Sequence, residues 1–147
     1  MTMNCASPPE ALPELPRLPH EAHPFCFVCS ASNPMGLALR FVSEEDGSVS
    51  AVFVGHPALE GYPGLLHGGI VATLLDGAMV HCLFAHGIQA LTAELRIRFH
   101  APLLAGEEVT LRARLESSAH GLHRVRAEAS QGDRVCARAQ GKFLPPP

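Results

Sequence analysis

Between Glu60 and Glu94 the chain carries a single Asp, Glu, Lys or Arg, and that residue is Asp76. It sits inside LLHGGIVATLLDGAMVH, residues 65–81, the most apolar stretch of the sequence. The pattern predicts a helix from Gly68 to about His86, apolar nearly all round and ended by Gly87. Such a helix is buried on most faces, so the rest of the chain must supply its cover. A carboxylate removed from water is costly unless something compensates it. Asp76 is therefore either an accident the fold tolerates or a group placed there for chemistry.

The cover is legible as alternation. Leu37–Val42 (LALRFV) and Val49–Val54 (VSAVFV) read as strands around the turn signal EEDGS, forming a hairpin. After the helix come Leu91–Phe99, Val109–Glu116, Leu122–Ser130 and Val135–Phe143, with AHGLH and SQGDR as turns between the last three. In Leu91–Phe99 the alternation puts Ala93, Leu95, Ile97 and Phe99 on one face and Thr92, Glu94, Arg96 and Arg98 on the other. Two strands, one long helix and four strands pack most simply as an α+β hotdog fold. In it a curved antiparallel sheet of about six strands wraps around one central helix. Its outer face would carry Arg96, Arg98, Arg112, Arg114, Arg124 and Arg126. Open sheet edges favour pairing of two subunits, so a homodimer is expected, or a tetramer built through sheet faces.

The totals narrow the function classes. The 147 residues suffice for one domain with a real core, and 47% hydrophobic with 17% charged residues suits a compact chain. A net charge of −3, no long basic run, no Trp and one Tyr give nucleic-acid binding little support. No run of 18 apolar residues is uninterrupted, so no membrane span is expected. The opening MTMNCASPPEALPELPRLPH lacks a basic segment followed by an apolar run, so no signal peptide is expected. Five cysteines, Cys5, Cys26, Cys29, Cys82 and Cys136, are too few and unpaired for a disulfide framework. These features together read as a cytoplasmic protein. The prolines at 8, 9, 13, 16 and 19 mark residues 1–23 as a Pro-rich extension, residues 24–143 as the folded domain, and residues 144–147 as a tail.

The candidate chemistry lies where loop becomes helix. His67-Gly68-Gly69 places unsatisfied N–H groups and the positive end of the helix dipole where another molecule's carbonyl can approach. That is an arrangement able to stabilise an oxyanion. Asp76 follows nine residues later, about 13 Å along the same helix. One subunit's Asp76 is thus too far to serve its own glycine N–H groups. Two helices packed antiparallel across a dimer would bring each start to the other's middle.

The run EGYPGLLHGGIVATLLDGAMV followed by LTAELRIRFHAPLLAGE closely resembles hotdog acyl-CoA thioesterases of the phenylacetyl-CoA and 4-hydroxybenzoyl-CoA type, including the mammalian thioesterase superfamily members. CFVCSASNPMGLALRF resembles the opening of bacterial members of the group. The likeness extends over roughly residues 37 to 143. It implies that the backbone N–H of Gly68 is the oxyanion donor and that Asp76 of the partner subunit is the general base or nucleophile. It further implies that Thr92 helps hold the attacking water and that His67 positions the thioester carbonyl or the loop. Some relatives carry Asn or Gln six residues before the His, where this chain has Gly61. The implied activity is hydrolysis of an acyl-CoA to a carboxylic acid and CoA without cofactor or metal. Gly69 and the basic residues Arg96, Arg98, Arg124 and Arg126 are candidates to hold the substrate. Leu74, Leu75, Met79 and Phe84 are candidates to shape an acyl pocket.

Two alternatives stand beside this one. The same fold could bind an acyl-CoA or another small ligand without turnover, although a neutral acyl chain calls for no buried charge. A hydratase or dehydratase is suggested only by GHPALEGYPG and ranks lower. Separately, His20, His23, Cys26 and Cys29 form H-x2-H-x2-C-x2-C, on paper four zinc ligands. The short regular spacing and Pro24 weigh against one tetrahedral site, so no metal is expected and the cysteines read as small packing residues.

Overall fold

The computed structural model describes residues 22–147. The Pro-rich lead-in up to residue 21, with Cys5 and His20, lies outside the described residues. Among the described residues one long α-helix, α1 (Gly68–Ala85), and six strands follow in the expected order, with a single 3-10 turn at Pro57–Leu59. The strands are β1 (Val42–Ser43), β2 (Val49–Val54), β3 (Leu91–Phe99), β4 (Glu108–Ala119), β5 (Leu122–Gln131) and β6 (Arg134–Leu144). They form one antiparallel sheet in the order β1-β2-β4-β5-β6-β3. β3 pairs only with β6 and forms one end of the sheet.

The sheet's inner face meets the helix. Val49, Val109, Leu111, Val125, Ala129 and Phe143 close over Leu74, Leu75, Met79, Cys82 and Leu83, all at or near full burial. Each large apolar side chain contributes about 1.5–3 kcal/mol by leaving water. This packing corrects the expected acyl pocket, because Leu74, Leu75 and Met79 are fully buried in the chain's own core. Phe84 stands edge-on between the rings of His23 and His81. The helix ends as expected: Gly87 takes φ 71°, a conformation glycine adopts without a Cβ clash.

The first strand departs from the sequence reading. Leu37–Phe41 is not part of the ladder, and only Val42 and Ser43 pair with β2. Ala38 has φ 50°, which breaks the extended run, while the Leu37 and Leu39 N–H groups donate to the carbonyls of Phe27 and Val28. Leu39 is still buried, so the alternation marked burial correctly and the ladder partner wrongly.

A half-covered stripe runs along α1. Ala72, Thr73, Asp76 and Val80 are only partly buried, although their neighbours Leu74, Leu75 and Met79 are inaccessible. This stripe adjoins β3, whose Leu91 and Phe99 are more than half exposed.

Candidate active site

The start of α1 is held by its loop before any ligand arrives. Glu60 bridges Leu66, Leu65 bridges Leu104, and the His67 N–H donates to the Leu59 carbonyl at 2.9 Å. The Gln131 side-chain amide pairs with both backbone groups of Leu104 at 2.9 Å, fixing that crossing from the far side. The loop therefore presents the helix start at a defined angle.

His67 is the residue that caps the helix. Its backbone is extended, with φ −62° and ψ 135°, and its Nδ1 accepts the Gly69 N–H at 2.9 Å. Its carbonyl accepts the N–H groups of Ile70 and Val71. Of the first four helical N–H groups, three are thus satisfied, and among the described residues the Gly68 N–H alone has no acceptor. Gly68 is exposed, and the Phe99 ring lies beside it: a Cβ on Gly68 would sit 3.7 Å from Phe99 Cζ. Because Nδ1 accepts, the ring proton of a neutral His67 sits on Nε2. Gly69, named from sequence as a substrate contact, instead has its N–H engaged by this cap.

A cleft of about 490 Å³ opens at this end, lined by Gly61, Tyr62, Leu65, Leu66, His67, Gly68 and Pro102. Gly61 lies against the His67 ring, where a Cβ would meet Cδ2 at 3.3 Å. The smallest residue thus stands where some relatives carry an amide, and it keeps that wall of the cleft open. Tyr62, 80% exposed, and Pro102 were not singled out by sequence reasoning. A lone exposed aromatic in a Gly/Pro-rich loop was the available signal for Tyr62.

Asp76 and Thr92 come together in one chain. The Thr92 hydroxyl donates to Asp76 Oδ1 at 2.7 Å. Strict alternation put Thr92 on the polar face with Glu94, Arg96 and Arg98, and the structure corrects this. The register slips between Thr92 and Glu94, a β-bulge that leaves Thr92 opposite inward-facing Phe143 and Glu94 opposite outward-facing Lys142. One extra residue turns Thr92 toward the helix and leaves Arg96 and Arg98 outside. With Oδ1 occupied by the hydroxyl, Asp76 Oδ2 remains available to a water.

The basic candidates gather elsewhere. Arg96, Arg98 and Arg126 line a cleft of about 630 Å³ on the outer sheet face together with Arg112, Arg114 and Arg138. Arg112 and Arg114 pair with Asp46, and the cleft lining also carries Glu116 and Glu128. Arg124 lines a neighbouring cleft with Arg96, Glu94 and Lys142. Arg126 pairs with Glu116 and Arg138 with Glu128, each at 3.6 Å, whereas Arg96, Arg98 and Arg124 make no direct ion pair among the described residues. This face lies across the sheet from Asp76, so the structure does not bring the arginines and the carboxylate together within one chain.

Burial, the hydrogen bond to Cys26 and the charge of Cys26 push the Cys29 thiol up to about 12, opposite to the shift a reactive thiolate needs.

The family model described as the thioesterase superfamily matches residues 63–137, which take in the helix start, Asp76 and Thr92. The chain belongs to the thioesterase superfamily. Among curated members, the bovine (Bos taurus) acyl-coenzyme A thioesterase THEM4 is 36% identical over 84 residues, 55% of this chain and 34% of that protein. The rat (Rattus norvegicus) protein of the same name is 32% identical over 76 residues, 52% of this chain and 33% of that one. The matches thus span about a third of the length of these relatives. Among solved structures, the thioesterase superfamily protein RHA08564 aligns with TM-score 0.77 and 28% identity, over 80% of this chain and 61% of that one. Protein PA5202 from Pseudomonas aeruginosa aligns with TM-score 0.66 and 31% identity, over 74% and 88%. The E. coli PaaI protein of the phenylacetic acid degradation operon aligns with TM-score 0.69 over 74% and 83%, and at 20% identity this is a likeness of fold.

Proposed function

We propose that the protein hydrolyses acyl-CoA thioesters to a carboxylic acid and free CoA, at a site shared by two copies of the chain. The observation that carries the proposal is the division of labour along α1. One free N–H sits at its preorganised start, and one carboxylate, oriented by a hydroxyl, sits about 12 Å further on. The names of the THEM4 relatives point to acyl-CoA as the substrate.

In this reading the Gly68 N–H receives the thioester carbonyl oxygen, on which negative charge builds as water attacks. Asp76 of the partner takes the proton from that water, so that a carbon–oxygen bond forms at the carbonyl carbon. Thr92 holds the carboxylate so that its second oxygen faces the water. Collapse of the tetrahedral intermediate breaks the carbon–sulfur bond, and the departing CoA sulfur takes the proton back from Asp76. No cofactor is required. Arg96, Arg98, Arg124 and Arg126 are proposed to meet the phosphates of CoA on the outer face. Arg96 and Arg98 lie on β3.

The half-covered stripe on α1 and the open edge of β3 support a homodimer in which the β3 strands adjoin and the helices run antiparallel. A second pairing through the arginine-lined faces would give a tetramer. The cytoplasm suits the chain, because the four described cysteines carry no disulfide.

The test is release of free thiol from a panel of short, medium, long and aromatic acyl-CoAs. The wild-type chain is expected to turn over at least one class. Asp76→Asn, which can still accept the Thr92 hydrogen bond, is expected to lose about 10²–10⁴-fold in kcat. Tight acyl-CoA binding without thiol release by the wild type would favour the binding-module reading, and an undiminished Asp76→Asn would remove the carboxylate from the mechanism.

A further inference from the structure

We propose that His23, Cys26 and Cys29 form a binding site for a zinc-class divalent ion that fastens the segment entering the domain onto α1. The reading does not depend on thioesterase activity.

The sequence spacing argued against a tetrahedral site, yet the fold brings three of the four donors together. A ring nitrogen of His23 and the Sγ atoms of Cys26 and Cys29 all lie within 4.8 Å of one another. Around a tetrahedral zinc, with bonds of about 2.0–2.3 Å, the donor atoms stand roughly 3.4–3.8 Å apart. The metal-free cluster is therefore about one ångström from closure, a movement that side-chain rotation can supply. Pro24 was expected to carry the chain away. Instead the carbonyls of His23 and Cys26 accept the N–H groups of Cys26 and Ser30, and this turn brings the donors back toward one another.

Two independent observations mark the cluster as more than packing. His23 Nδ1 is buried and has no hydrogen-bond partner among the described residues, which a packing role leaves unexplained. The Val28 N–H donates to Cys26 Sγ at 3.3 Å, a bond that strengthens when the sulfur is a metal-bound thiolate. The His23 ring is set edge-on to Phe84 with centroids 4.9 Å apart, so its direction is already fixed. Two thiolates and an imidazole form a soft donor set that selects zinc over magnesium or calcium. Binding releases a proton from each thiol, and His23 donates through a neutral ring nitrogen. The fourth position falls to water.

The position says what such an ion would do. Val28, between the two cysteines, packs against Gly77, the residue after Asp76, where an added Cβ would lie 2.6 Å from Val28 Cγ1. Residues 27 and 28 also hold the segment at 37–39 through the Leu37 and Leu39 N–H groups. An ion at the cysteines would clamp the crossing that covers α1 beside its carboxylate. Its role is structural, since none of its ligands faces the Gly68 cleft.

The experiment measures metal content and cobalt spectra on the full chain, purified reduced and without chelator. About one zinc per chain is expected, with Co²⁺ titration giving a thiolate-to-cobalt charge-transfer band and tetrahedral d–d bands. Cys26→Ser with Cys29→Ser should abolish both, His23→Ala should shift the d–d bands, and Cys82→Ser or Cys136→Ser should change neither. EDTA should lower the Tm of the wild type and leave that of the double variant unmoved. If the double variant does not fold, the cobalt titration of the wild type decides alone. A wild-type chain without bound zinc and without a charge-transfer band overturns the proposal. So does a native Cys26–Cys29 disulfide, or metal binding that survives in a folded double variant.

Discussion

At the scale of single residues, the site rests on which polar groups are spent and which are left over. His67 consumes three of the four N–H groups at the helix start and leaves that of Gly68. Gly68→Pro tests this group directly. Proline at the first helical position lacks only the N–H, which has no acceptor there, and its fixed φ suits the helix. The extended backbone of His67, φ −62° and ψ 135°, is the conformation a residue before proline prefers. The variant should keep its Tm and lose about 10²–10³-fold in kcat, the cost of one oxyanion donor. A Gly68→Ala control keeps the N–H, and its Cβ meets Phe99 at an ordinary contact distance, so it should remain active. Equal activity of the proline and alanine variants would remove the Gly68 N–H from the mechanism. The sequence made His67, Gly68 and Asp76 legible as candidates because a charge in an apolar helix and a glycine pair at its start are local signals. Thr92 was named through the resemblance, but its orientation was not legible: a bulge is one inserted residue, and nothing in LTAEL distinguishes it from regular alternation.

At the scale of elements, one contact reverses the sign that a local rule would give. An alanine for a helical glycine ordinarily stabilises by up to about 1 kcal/mol. At Gly77 the new Cβ would press into Val28, a stiff β-branched side chain, at 2.6 Å. Overpacking of this kind costs about 1–3 kcal/mol, so Gly77→Ala should be net destabilising in urea unfolding. The turn between β1 and β2 offers a pH test. Asp46 accepts the Ser48 N–H and hydroxyl and pairs with Arg112 and Arg114 on β4. These contacts, the Ser48 hydrogen bonds foremost, hold its carboxyl at about 2, below the ordinary 3.8. A depressed carboxyl contributes stability that is present above its unfolded value and is lost as pH falls through the folded one. Asp46→Asn should therefore lower the Tm at neutral pH, and the gap to wild type should close between about pH 4 and pH 2. A gap that persists unchanged at about pH 2 would assign the effect to shape rather than charge. The strands β2 to β6 were legible to within a few residues because alternation and burial coincide there. The run at 37–41 was not, because its burial partner is the sheet core while its hydrogen-bond partner is a coil segment that carries no alternation.

At the scale of the whole molecule, the proposed function divides one reaction between two half-sites that a single chain cannot join by itself. The free N–H and the carboxylate stand on one rigid helix, about 12 Å apart along its axis, and no side-chain rotation brings them together. A symmetric pair of chains running antiparallel would create two complete sites at once, each with the N–H of one copy and the carboxylate of the other. This makes a prediction that no single-chain mechanism shares. Asp76→Asn and Gly68→Pro homodimers should each be nearly inactive. Mixed and allowed to exchange subunits, half of the dimers become hybrids in which one site is doubly damaged and the other fully native. Activity should then rise to about a quarter of the wild-type level, one native site for every four present. The rise should be slow if the interface is large, because it follows subunit dissociation, and it should be absent when the two variants are crosslinked as homodimers before mixing. A mixture that stays as inactive as its components, with hybrid formation verified by mass spectrometry, would mean that each chain acts on its own and that the exposed stripe on α1 serves some other contact.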